Sequence, residues 1–459
     1  MDIDSLRPHL SPTASINFAT DAEFHTNTER WSTYKPPTPG AVVNVATEED
    51  ISATIKWAIT NNVQFLARSG AHGSTFTFSA LSQAGIVINL RFMNKVTVDL
   101  ANSKATISAG AITSEVLTAA HAAGAHVATG QCNAVGAITA YLGGGLGNQK
   151  AMYGLGVDNM LEARLVTATG DVVVVSEMEN KELWWGLRGA GHNFGIVSQL
   201  TVKAYEQVNR GLHWSGTLGY PGATENVGKI VGAINTLGFG QGKPMGCTMV
   251  WARAPPDFQP MVLVNVWYGG SASLAETTFA PLLSLGPFLN TAAPTPYPGV
   301  NSVNDFPSIK DGSKRMIFGT SHFSINPETI VNVFTDWETF TRETPDASHS
   351  IVLTEYYDAA KEAEVDIDET AYPWRGRNVY MLAVGQFTDM AYEGKVQEWG
   401  ARFKSLLVKE EERTVYVNFA TGDEDLEMVY GGKERLDRLR ALKAKWDPNG
   451  AFSYYNAIK

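Results

Sequence analysis

The sequence predicts an α+β fold in two domains. Three observations carry that expectation. A chain of 459 residues is longer than one hydrophobic core ordinarily serves. The first third alternates short strands with helices. Around residues 205–211 the pattern changes, and longer helices and strongly apolar strands take over.

The elements follow in order. Residues 42–45 are expected as a strand. Thr47 then stands as an N-cap, with Glu48, Glu49 and Asp50 in the first turn, and Ile51, Ile55 and Ile59 recur at helical spacing. Residues 63–67 return as a strand, 68–73 form a loop, and 85–90, 96–100 and 105–108 are further strands. Ser114 begins an Ala-rich helix that Gly124 ends. Residues 130–156 are the richest in glycine. Residues 163–167 and 172–175 flank Ala168-Thr169-Gly170-Asp171 as a hairpin. In the second half, 261–268 reads as a strand. Asn326-Pro327 opens a helix with Asn as N-cap and Pro at the first position. Residues 350–357 and 378–387 are two more strands, followed by a helix over 392–407.

Composition excludes several classes. Hydrophobic residues make up 44% and charged residues 18%, the balance of a packed globular protein. A net charge of -11 repels phosphate backbones and disfavours nucleic acid. The charged run at 409–413 reads as solvated surface. The two cysteines, Cys132 and Cys247, cannot form a disulfide framework, and their spacing suggests no zinc site, so no metal is expected. No stretch is apolar for long enough to span a bilayer. Residues 1–15 lack a basic region followed by an apolar core, so a cytoplasmic protein without a membrane partner is expected, as monomer or homodimer.

Taken singly, the motifs say little. Gly143-Gly144-Gly145-Leu146-Gly147 does not have the G-x-G-x-x-G spacing of a dinucleotide loop, and no phosphate loop ends in Gly-Lys-Ser/Thr. The loops at 68–73 and 136–147 would let backbone N–H groups approach a pyrophosphate, or would serve as tight turns. His72 in a Gly-rich loop is by itself a turn or surface residue, and Cys132 an inert buried thiol.

In order along the chain, the motifs resemble those of the berberine bridge enzyme-like oxidases, within the vanillyl-alcohol oxidase or PCMH type of FAD-binding fold. Arg68-Ser69-Gly70-Ala71-His72-Gly73 is similar to the family's R-S-G-G-H-S. Gly130-Gln131-Cys132-Asn133-Ala134-Val135-Gly136 followed by Gly143-Gly144-Gly145-Leu146-Gly147 resembles its G-x-C-x-x-V-G and G-G-G-x-G. Tyr153-Gly154-Leu155-Gly156-Val157-Asp158-Asn159 resembles the next block. Residues 182–188 and 189–197 resemble L-F-W-A-x-R-G and G-x-F-G-I-V. Tyr416-Val417-Asn418-Phe419 is similar to Y-x-N-Y, and Asp447-Pro448-Asn449-Gly450-Ala451-Phe452 to the closing D-P-x-N-x-F.

The resemblance implies a covalently held FAD. His72 would bond the flavin 8α carbon and Cys132 the flavin C6. Both links raise the flavin's potential and fix its position. Backbone amides of Ser69, Gly70, Ala71, Gly73, Gly136, Gly143 and Gly144 would bind the pyrophosphate, with Arg68 in the same loop. Gly195, Ile196 and Val197 would lie beside the adenine, and Asn418 among the cofactor contacts. Val135 stands where the family has a small residue that admits oxygen, which implies an oxidase making hydrogen peroxide from molecular oxygen.

Three positions depart from the pattern. Ala71 replaces a glycine and Gly73 a serine, both small changes. Phe419 replaces a tyrosine that in relatives helps deprotonate the substrate, so the base must lie elsewhere or be unnecessary. Glu355, Tyr380 and Tyr416 are the candidates. The expected FAD domain spans 1–205 and 413–459. The expected substrate domain, 206–412, is an antiparallel sheet covered by helices, with Trp251, Trp267, Tyr268, Tyr356, Tyr357, Tyr372, Trp374 and Tyr380 available for an apolar pocket. The implied reaction is hydride abstraction from an alcohol, an amine or an activated C–H bond of a small specialised metabolite, with ring closure as one outcome. A flavin dehydrogenase using another acceptor, and a non-redox cyclase or isomerase with a structural flavin, are the alternatives.

Overall fold

The structure, a computed structural model, describes residues 2–407 and 414–459. The charged run at 409–413 and the expected boundary at 412/413 therefore lie outside the described residues.

Four strands form the first sheet: β1 (Ser15–Phe18), β2 (Ala41–Asn44), β3 (Phe65–Arg68) and β4 (Ile86–Asn89), in the order β1-β2-β4-β3. The β2–β4 and β3–β4 pairs are parallel. Every residue of β2 and β4 is buried, which is why both read as apolar runs without alternation. Helix α1 (Glu48–Thr60) starts where Thr47 predicts. The Thr47 hydroxyl accepts the Asp50 N–H and the Asp50 carboxylate accepts the Thr47 N–H, a reciprocal capping box. Ile51 and Ile55 are fully buried, but Ile59 is 44% exposed, because the buried stripe drifts onto Ala58.

The second sheet has five strands: β5 (Val96–Asp99), β6 (Lys104–Ser108), β7 (Met160–Val166), β8 (Val172–Ser176) and β9 (Ile196–Lys203), in the order β5-β6-β9-β7-β8. The predicted hairpin is β7–β8. Between β6 and β7 lie α2 (Thr113–Ala122), α3 (Ala137–Leu142) and the single turn α4 (Lys150–Tyr153). Helix α5 (Lys181–Ala190) precedes β9.

The third sheet is antiparallel and dominates the second half. Its long strands are β10 (Leu212–Pro221), β11 (Met245–Ala254), β12 (Gln259–Tyr268), β13 (Lys314–His322), β14 (Ile351–Tyr357) and β15 (Val379–Phe387), in the order β10-β12-β11-β14-β15-β13. Helices α6 (Thr224–Asn235), α7 (Pro327–Glu343) and α8 (Glu393–Leu407) cover one face, packing Ile230, Phe334, Trp337 and Trp399 against Met249, Trp251, Val262 and Met381. Asn326 caps α7 by accepting the Glu328 N–H. The opposite face turns toward the first half of the chain.

The C-terminal helix α9 (Lys433–Trp446) returns to pack on α5. Asp447 fixes the return. Its carboxylate accepts the N–H groups of Ala451 and Phe452 and pairs with Lys443 Nζ at 2.6 Å, while Lys443 also donates to the carbonyls of Asn193 and Phe452. The closing motif thus ties the chain end to the loop before β9. The architecture is the α+β arrangement that the sequence predicts.

Candidate active site

The uncovered face of the third sheet and the loops of the first half enclose a cavity of about 350 Å³. The loop at 68–73 leaves β3 at its C-terminal end, and the segment 130–136 leads into α3. They lie so close that a Cβ at Gly70 would come within 2.5 Å of the Ala134 oxygen and the Gly136 nitrogen. Only glycine permits this contact. Ala71 sits at φ +57°, the left-handed region, where the resembling family carries glycine.

The loops bring most of the expected residues together. Arg68, Ser69, Gly70, Ala71, His72, Gly73, Cys132, Val135, Gly136, Gly195, Ile196, Val197, Glu355, Tyr416 and Asn418 all line the cavity. Gly143, Gly144 and Tyr380 do not. A Cβ at Gly143 would overlap the Asn418 carboxamide, and one at Gly144 would meet the Tyr372 and Tyr416 rings. These glycines make room for side chains. Tyr380 is fully buried on the same sheet face but beyond the Glu355 end of the cavity, its hydroxyl bonded to that of Tyr372 at 2.9 Å.

Along the cavity, Arg68 Nε, Ser69 Oγ, Ser74 Oγ, His192 Nδ1 and Tyr454 OH are buried polar atoms without a partner among the described residues. Burying such groups unsatisfied is costly. A long ligand that carries phosphate and heterocyclic acceptors together with hydroxyl and amine donors would satisfy them, so the residues present fit FAD.

His72 and Cys132 stand side by side, with Cys132 Sγ 3.7 Å from His72 Nε2. The imidazole stacks on Trp31, ring centroids 4.5 Å apart and planes 12° from parallel. Burial, reinforced by Arg315 and Lys310, pushes the His72 pKa down to about 3, so the ring is neutral across the physiological range. Burial also pushes the Cys132 thiol up, partly offset by Ser308, whose Oγ lies 3.0 Å from Sγ. The stretch 301–308 reaches over from the second half. Asn301 and Asn304 donate to the carbonyls of Gly130 and Gln131, and Asp305 accepts from Asn133. Trp31 anchors the same stretch through Nε1 to the Pro307 carbonyl.

Glu355 projects from β14 into the cavity and is 6% exposed. Burial raises its pKa to about 7, moderated by bonds from Gln131 and Tyr357 and by Lys150. The Tyr357 hydroxyl donates to Glu355 Oε2 at 3.0 Å. Tyr416 behaves differently. Its oxygen accepts N–H groups from Gly145 and Asn418, and burial pushes the phenol well above its ordinary range. The phenol therefore keeps its own proton at neutral pH.

The aromatic pocket expected from the sequence is not what lines the cavity. Trp251 packs under the helices with Phe334 and Trp337, and Trp267 lies by His213. None of the eight expected aromatics reaches the cavity, whose sheet wall is aliphatic. Trp31, Ser308 and the aliphatic wall went unread, because none belongs to a motif, and Gln131 fills a position that its motif leaves open. Phe452 also lines the cavity, and its place in the closing motif was the available signal.

Comparison with known proteins agrees with this geometry. Residues 39–176 match the family described as FAD binding domain, and residues 415–459 the family described as berberine and berberine like. The FAD-linked oxidoreductase hasG of Aspergillus fumigatus is 33% identical, over 92% of this chain and 92% of that protein. Among solved structures, 6-hydroxy-D-nicotine oxidase of Arthrobacter nicotinovorans superposes with a TM-score of 0.82 at 25% identity, covering 98% of each chain. Xylooligosaccharide oxidase of Myceliophthora thermophila shares the fold, with a TM-score of 0.83 at 23% identity over 100% of this chain and 99% of that one.

Proposed function

The chain belongs to the berberine bridge enzyme-like FAD-linked oxidoreductases, and from that premise we propose that it is an oxidase holding FAD covalently through His72 and Cys132. The observation that carries the reading is the convergence on one cavity of two adjacent nucleophiles and a buried carboxyl, Glu355. Bound FAD supplies a hydride acceptor whose electrons pass to oxygen, giving hydrogen peroxide.

The chain's own residues do the rest. Backbone N–H groups of 69–73 and Gly136 hold the pyrophosphate, and Arg68 adds charge. The neutral His72 and the adjacent Cys132 are the attachment points. Glu355, with a pKa of about 7, is the base that takes a proton from the substrate heteroatom at neutral pH. Tyr416 donates its O–H and orients that heteroatom. Phe419 carries no exchangeable proton, in keeping with a base on the sheet wall. Val135 lines the cavity as a small aliphatic group and leaves oxygen a path.

Intact mass after denaturation, then anaerobic mixing with substrate and stopped-flow reoxidation, tests the reading. Retained FAD mass, flavin bleaching and rapid peroxide formation are expected. Flavin released on denaturation removes the covalent links. A very slow oxygen step makes the protein a dehydrogenase with another acceptor. Product formed without bleaching makes it a non-redox cyclase or isomerase.

A further inference from the structure

Resting on the reading that FAD occupies this cavity, we propose that the substrate is a lipophilic molecule presenting one proton-bearing heteroatom to Glu355, and that carbohydrates are excluded. The register of the sheet carries the argument. Ile317 pairs with Val384, and Val384 with Ile351, in one rung across β13, β15 and β14. Two residues along, the next rung is Gly319, Leu382, Leu353 and Val250. The rung after that holds Tyr380, Glu355 and Thr248. Alternation along a strand puts all of them on one face. Ile317, Ile351, Leu353, Leu382, Val384 and Glu355 line the cavity. Leu353 and Leu382 are half-buried, although they sit on interior strands whose other face lies under helices. Their exposed surface is the cavity wall.

Phe419 extends this wall. A Cβ at Gly319 would meet Phe419 Cβ at 2.7 Å, so residue 419 lies flush against the second rung. The departure from the family's tyrosine therefore removes a hydroxyl from an otherwise hydrocarbon surface.

A sugar carries a hydroxyl on nearly every carbon. Each one pressed against leucine or isoleucine loses its water and finds no partner, whereas each hydrocarbon carbon gains by the same burial. The wall offers a polar handle only at its Glu355 end, where the carboxyl takes bonds from Tyr357 and Gln131. The nearby ammonium of Lys150 is already bound to Glu362 at 3.2 Å. One substrate heteroatom can be accommodated there, and the part of the molecule that lies along this wall must be apolar.

Isothermal titration calorimetry on the purified holoprotein tests this with 1-naphthalenemethanol, perillyl alcohol and 1-naphthylmethylamine against xylobiose and cellobiose. At least one lipophilic probe is expected to bind roughly tenfold or more tightly than either disaccharide. Leu353→Asn and Leu382→Asn should each weaken that probe by about tenfold. Phe419→Tyr, which changes least in shape, should weaken it by about threefold. Disaccharide binding as tight as that of the probes, no binding by any lipophilic probe, or indifference of the probe to all three polar substitutions overturns the proposal. Flavin absorbance is recorded on the same samples. A yellow protein that prefers disaccharides overturns the substrate class alone, and a colourless protein overturns the cofactor reading whatever it binds.

Discussion

Cys132 Sγ and His72 Nε2 are 3.7 Å apart, although 60 residues separate them in the chain. The contact exists because Gly70 lets the two loops touch, and because Trp31 and Ser308 hold the two side chains from opposite halves of the molecule. Either single replacement, His72→Ala or Cys132→Ala, should leave FAD mass on the denatured chain through the remaining link. The double replacement should release it. A peptide map that finds no flavin at residue 132 would reduce the attachment to His72 alone. Burial keeps the Cys132 thiol protonated, so its link should form faster as pH rises.

Glu355→Gln should slow anaerobic flavin reduction by about two to four orders of magnitude. In the unaltered enzyme the reduction rate should rise with pH through about 7, as the carboxyl ionises, and that limb should vanish in the variant. Tyr380→Phe, altered outside the cavity, should change the rate by less than about tenfold. An equal loss in Tyr380→Phe would put the base on the wrong strand.

The same carboxyl sets a stability trend. Its folded pKa of about 7 lies above the ordinary 4.5. Between those values the folded state holds a proton that the unfolded state has lost, so stability falls as pH rises through this window and then levels off. Glu355→Gln lacks this loss. Urea unfolding should find the two proteins equal near pH 4 and the variant favoured by about 3 kcal/mol at pH 8. A gap independent of pH would contradict it.

Ala71 occupies the left-handed region at φ +57°. Its Cβ strains the backbone there, and glycine would not. Ala71→Gly should raise the unfolding free energy by about 1 kcal/mol without loss of FAD. A destabilised variant would mean that the methyl group, buried at the cavity edge, packs better than the strain costs.

Lys150 and Glu362 form an ion pair at 3.2 Å with both side chains fully buried, and Lys150 also donates to the Arg377 carbonyl. Lys150→Met should destabilise the fold by about 3–5 kcal/mol, because it strands the Glu362 carboxyl. Lys150→Met with Glu362→Leu should recover much of that loss. Chemical denaturation of the set checks it, and additive losses would show that the two groups do not act as a pair.

The sequence by itself determined what is local. Thr47 and Asn326 cap helices where their side chains can reach N–H groups two or three residues on. Unbroken apolar runs mark β2 and β4. The glycine motifs flank His72 and Cys132, and Glu355 lies on the strand expected to face the cofactor. Tertiary structure decided the rest. Glu355 and Tyr380 are cross-strand partners, yet only Glu355 meets the cavity, while the Tyr380 hydroxyl turns to Tyr372. Gly143 and Gly144 give clearance to Asn418, Tyr372 and Tyr416 and do not line the cavity. The eight expected aromatics went into cores, and Ile317, Leu353, Leu382 and Val384 became the wall in their place. Trp31 found His72 through contacts that no periodicity marks. Periodicity and capping depend on neighbours a few residues away. What lines a void depends on strand register and on which loops close over the sheet, and those contacts join residues from tens to hundreds of positions apart.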